Sequence, residues 1–214
     1  MTTDITVRGQ ARDVREPDRA VLTLQARAEG SDMTKVHTAV VEAMASLNAS
    51  VEALRVAHPG ALERFSVSQA YQNHYMVKNV MRFYETVRMT ARFTDFPVMS
   101  DWAFKSANEV ISLSGVEWTL SAEVLDEVRD QLGRAAVLDA RVRATTFAEA
   151  AGMTIVGVQG LADPGLLAGT RSDDPRDRAL MLAGGRGGSA DAMIDLTPEP
   201  IETIAAVEAH FLAE

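Results

Sequence analysis

The chain has four histidines and no cysteine, so acid–base, metal or nucleophilic chemistry has few places to start. His37 falls on a helical stretch, His58 in a turn, His74 in a polar loop and His210 in the last strand. No two stand at i, i+3 or i+4, and no H-E-x-x-H run occurs, so the spacing that brings paired imidazoles to one metal is missing. Each is expected to be solvated or structural. His74, between Tyr71 and Tyr75, has the only site-like surroundings, and a polar hairpin tip accounts for it equally well. Arg82, Arg88 and Arg92 share one face of a strand, where they could hold an anion or an acidic partner surface; such charges also discourage edge-to-edge association. Gly185-Arg186-Gly187-Gly188-Ser189-Ala190 fits G-x-G-x-x-A in letters only. A dinucleotide fingerprint leaves a strand and opens a helix, whereas here a helix-like stretch comes first. The carboxylates between Glu123 and Glu149 alternate with Arg129, Arg134, Arg141 and Arg143 and read as a solvated helix face. No catalytic residue, cofactor site or metal site is expected from these patterns.

The elements that must position these residues follow from hydrophobic period. Ile5, Val7, Gly9 and Ala11 alternate with polar residues, as do Ala20, Leu22, Leu24, Ala26 and Ala28, with the turn Glu16-Pro17-Asp18 between them. These read as a strand hairpin. From about 32 to 57 the period becomes helical, with Val36, Val40, Ala43, Met44, Leu47, Val51 and Leu54 on one stripe and Asp32 as N-cap. Strands follow at about 62–71 and 81–94; in the second, only Glu85 breaks the alternation of apolar and polar residues. A shorter helix is expected at 96–112, a strand at 115–122, the longest helix at 123–151 with Gly152 at its C′ position, and strands at 153–162 and 200–213. Between the last two lies a connection, 163–198, with six of the chain's 14 glycines and the charged run Arg171 to Arg178. Asp174-Pro175 could open a short helix there. Loops of this length are usually functional or interfacial.

The order ββαββ-αβαββ gives an α+β class: largely antiparallel sheets packed by two long helices and one shorter one. The recurrence of strands around a long helix suggests an internal duplication, with halves at about 1–94 and 95–214 of a single 1–214 domain. At 214 residues the core needs no disulfide or metal staple. A net charge of −9 argues against nucleic-acid and anionic-membrane partners, which need a basic footprint. No export signal, lipidation motif or membrane span is read, so the cytoplasm is the expected compartment.

Three stretches resemble the SIMPL domain family, which takes in bacterial periplasmic immunogenic and stress-related proteins and a kinase-associated signalling protein. Ile5-Thr6-Val7-Arg8-Gly9 with Pro17-Asp18-Arg19-Ala20 resembles its opening strands, and Tyr84-Glu85-Thr86-Val87-Arg88-Met89 its central strand. The helix with Ala136, Ala140-Arg141, Ala144, Ala148 and Gly152 resembles its spaced-alanine pattern. The resemblance implies a non-enzymatic scaffold without established catalytic residues, and a homo-oligomer as its partner state. Many relatives carry an export signal, and none is expected here. The alternative is a small-ligand-binding protein or uncharacterised enzyme, with 163–198 as a lid and Tyr71, His74, Arg82 and Arg88 around its mouth. A third reading, from the signalling member, is an adaptor for a protein partner.

Overall fold

The computed structural model describes residues 2–167 and 197–214. The glycine run, the helix expected from Pro175 and most of the 163–198 lid lie outside the described residues. Those described form three helices and seven strands in two antiparallel sheets, an α+β arrangement of two compact units.

One unit has a four-stranded sheet in the order β3-β4-β2-β5. Its strands are β2 (Arg19–Gly30), β3 (Leu62–Val77), β4 (Val80–Phe93) and β5 (Ile111–Thr119). Helix α1 (Met33–Ala57) covers one face, with α2 (Phe96–Ser106) beside it. Asp32 starts α1 by accepting the backbone N–H groups of Thr34 and Lys35 at 2.9 and 3.3 Å, as its type and position lead one to expect. Val36, Val40, Ala43, Leu47, Val51 and Leu54 then face the sheet, where Ala20, Leu22, Leu24, Ala26, Met89, Ala91 and Phe93 meet them. Truncating a side chain as enclosed as Leu47 would cost about 2–5 kcal/mol. Trp102 of α2 packs on Phe93 and donates its indole N–H to Ser50 of α1 at 3.2 Å.

The other unit has the sheet order β1-β7-β6. It consists of β1 (Thr3–Arg15), β6 (Ile155–Ala162), β7 (Ile201–Ala213) and the long helix α3 (Ala122–Ala150). Ala136, Ala140, Ala144 and Ala148 are spaced by four and fully buried, the last three in one cluster with Ile5, Val7, Ala209 and Phe211. Their small size lets helix and sheet backbones approach. Gly9 is required at the contact, since a Cβ there would fall on the Ala136 carbonyl and 2.6 Å from the Ala140 nitrogen. Asp139 accepts the N–H of Gln10 and Arg143 donates to the carbonyl of Arg8, so α3 also satisfies free backbone groups of the edge strand β1. Gly152, at φ 75°, ends α3 in a Schellman motif: its N–H donates to Glu149 O and that of Met153 to Ala148 O.

Four expectations need correction. Pro17-Asp18 does not shape a hairpin, because β1 pairs with β7 while β2 pairs with β4 and β5; the short connection passes the chain between sheets. The two units are also not successive halves divided near residue 94, since β1 joins the C-terminal elements and β5 stays beside β2. Helix α2 stops at Ser106, and Ile111 begins β5. The cause is Asn108, whose side-chain oxygen accepts the N–H groups of Val110 and Ile111, both at 2.9 Å. Finally, Gln72-Asn73-His74 is no loop, since β3 continues to Val77 and the turn is Lys78-Asn79, with φ 47° and 62°. Two left-handed residues give the twist that a two-residue hairpin demands.

Candidate functional site

The β3–β4 hairpin and the start of α1 bring together polar side chains within the four-stranded unit. Register sets Gln72 opposite Glu85, Asn73 opposite Tyr84, His74 opposite Phe83 and Tyr75 opposite Arg82. Alternation then sorts these side chains onto two faces.

On the α1 face, Glu85 occupies a position that strand period reserves for an apolar side chain, and it is 9% exposed. Gln72 donates its Nε2–H to Glu85 Oε2 at 2.7 Å, and His37 Nδ1 stands 2.9 Å from the same oxygen. The His37 side chain is 57% exposed, whereas that of Glu85 is 11% exposed, so the contact joins a surface ring to a buried carboxyl group. Glu85 Oε2 is thereby held by two hydrogen-bonding partners, the condition for burying such a polar group. Beside this cluster lies a half-open pocket of about 210 Å³ lined by Met33, Val36, Gln72, Asn73, His74, Phe83 and Tyr84. Among the described residues no group of three or more His, Cys, Asp or Glu is placed to hold a metal ion.

On the opposite face, Glu29 of β2 is the hub. The Tyr75 hydroxyl donates to it, and Arg82 and Arg27 approach it at 3.4 and 3.5 Å. The Tyr75 hydrogen bond, helped by the two guanidinium groups, holds the Glu29 carboxyl below its ordinary range, and the same bond raises the Tyr75 phenol above its own. Arg27 lies over the Tyr84 ring at 5.0 Å, and Tyr71 and Tyr75 pack against Tyr84 at 5.9 and 6.0 Å.

The four residues expected around one mouth are therefore split. Tyr71, Arg82 and Arg88 project from the open sheet face, while His74 projects beside α1, where its ring meets Phe83 at 6.1 Å. Of the four, only His74 lines the pocket. Glu29 carries no signal in the sequence, and His37 and Glu85, each visible there, have no pattern that joins them. The break in alternation at Glu85 was the available signal.

The chain matches the SIMPL family model, described as "Protein of unknown function (DUF541)", over residues 5–211. It belongs to the SIMPL family. That span takes in parts of every strand and helix of both units, so the SIMPL signature is the whole scaffold and not one motif. Comparison with curated proteins gives no match. A SIMPL family described as of unknown function assigns no role to Glu85, His37 or any other residue here. No helix among the described residues is long and apolar enough to cross a membrane.

Proposed function

We propose that this SIMPL protein is a non-enzymatic binding scaffold that associates with further copies of itself through the β3–β4 arm. One observation carries the reading. Strand β3 is a sheet edge, and the arm runs past the last β2 pairing, Gly30 with Phe83, leaving Met76, Val77, Val80 and Met81 at 60%, 44%, 53% and 42% exposure. Soluble chains usually blunt an apolar strand edge with charge or cover it. A second copy laid against the arm would cover it and pair the free backbone of β3. The non-enzymatic part is supported by how the ionisable groups are employed: Glu85 and Glu29 are each held by two or more donors within the fold.

Light scattering over a protein concentration series tests the reading. The expected mass exceeds 23.1 kDa and falls to that of the monomer in Met76→Lys/Val80→Lys. A wild-type chain that stays monomeric throughout would exclude it.

A second reading, a small-ligand protein, has the pocket beside α1 in its favour. At about 210 Å³ it is below the roughly 300 Å³ at which drug-sized sites begin, so it suits a compact ligand with one apolar face. Phe83→Trp would place a fluorophore in its wall, and a library of small amphipathic compounds that leaves its emission unchanged would count against this use.

A further inference from the structure

The sheet face turned away from α1 concentrates charge opposite in sign to that of the chain. Arg27 of β2, Arg64 of β3 and Arg82, Arg88 and Arg92 of β4 all belong to it by register. Arg19 shares the face but is paired with Asp18 and Glu63. Against these stand the carboxylates of Glu29, already engaged by Arg27 and Arg82, and of Glu117 out on β5. A protein of net charge −9 thus carries a cationic sheet face.

Two details distinguish this face from an ordinary wet one. Arg64 and Arg92 stand directly opposite each other across β3 and β4, an arrangement in which like charges destabilise a sheet. Moreover Arg64, Arg88 and Arg92 are exposed and make no ion pair among the described residues. Between them, Ser66 and Thr90 share a hydroxyl hydrogen bond of 2.9 Å, and Gln69 stands opposite Arg88. The result is a ladder of donors with a guanidinium rung at each end, about 13 Å apart along β4.

We propose that this face docks an extended acidic segment of a partner protein, with carboxylates seated on the Arg64/Arg92 rung and on Arg88. Guanidinium forks match carboxylates in shape as well as charge, and a bound carboxylate relieves the Arg64–Arg92 repulsion. Extended backbone repeats at the same rise as β4, so carboxylates four residues apart meet both rungs. A nucleic acid fits less well. Arg27 covers one face of Tyr84, and Tyr71 and Tyr75 meet that ring edge-on or tilted, so the three rings do not form a parallel stack for bases to extend. A long polyanion would also meet the general repulsion of a chain of net charge −9, whereas a short segment stays within the roughly 8 Å reach of the patch's attraction.

The test is fluorescence anisotropy with a labelled peptide bearing glutamate at every fourth position, its glutamine counterpart, and oligothymidylate of equal length. The glutamate peptide is expected to bind saturably and more weakly as salt is added, and the glutamine peptide not at all. In Arg64→Ala/Arg92→Ala the affinity should fall about tenfold or more, while the melting temperature of the free protein holds or rises. No binding of the glutamate peptide at low salt, unchanged affinity in the double variant, or tighter binding of oligothymidylate would each overturn the proposal.

Discussion

Gly9 of β1 and Ala140 of α3 meet backbone to backbone, with no room for a methyl group between them. A new Cβ would strike the Ala136 carbonyl oxygen, the Ala140 nitrogen and the Ala140 Cβ, and none of the three can rotate away. Gly9→Ala is expected to destabilise the β1-β7-β6 unit by about 3 kcal/mol. Gly133, in the same helix, has open space where its Cβ would be, so Gly133→Ala should instead stabilise by about 1 kcal/mol through helix propensity. Urea melts of the two variants check the contrast, and equal midpoints would refute the close contact.

Glu85 should be costly to strip of either donor. Removing one partner of a buried polar group leaves its desolvation uncompensated, so His37→Ala and Gln72→Ala should each lose about 1–3 kcal/mol. Both donors reach the same oxygen, so the double variant should depart from additivity, as residues in one network do. Denaturant unfolding of the two single variants and the double variant would show it.

The Tyr75–Glu29 pair makes the hairpin sensitive at both ends of the pH scale. Glu29 has a lowered folded-state pKa, so its contribution is present above the ordinary glutamate value of about 4.3 and is lost as pH falls through the lowered one. Tyr75 has a raised pKa, so its contribution is present below the ordinary tyrosine value of about 10 and is lost as pH rises through the raised one. The difference in phenolate absorbance between the unaltered chain and Tyr75→Phe should therefore show a phenol that ionises above its ordinary range.

The Lys78-Asn79 turn holds a lysine at φ 47°, where a Cβ is disfavoured. Lys78→Gly should relieve about 1 kcal/mol of that strain. The gain should appear as slower amide exchange over the strand residues nearest the turn, without change at α3, which belongs to the other unit.

Much of this architecture could be read from the chain, and the failures have identifiable causes. Helix α3 was legible because its buried alanines keep a strict spacing and Gly152 marks its end. The hairpin turn was hidden because neither Lys78 nor Asn79 is a glycine, while the polar run Gln72-Asn73-His74 upstream reads as the break in the strand. Ile111 looked helical because its apolar side chain falls at helical spacing from Ala107, and one asparagine side chain overrides that signal. As for the candidate site, Glu85 announced itself by breaking the strand pattern. Its partner His37 lies 48 positions away, and no local rule links the two. Tyr71, His74 and Arg82 share the β3–β4 hairpin, but their assignment to opposite faces needs its register, which no local pattern supplies.

The pairing of β1 with β7 joins residue 3 to residue 213, while residues 17–119 contain a complete sheet with both its helices. During synthesis that inner portion can collapse as soon as it clears the ribosome. Strand β1 must wait for β7, at Ile201–Ala213, before its mate emerges, a delay during which its bare margin and the apolar ribbon of α3 are open to chaperones or to misassembly.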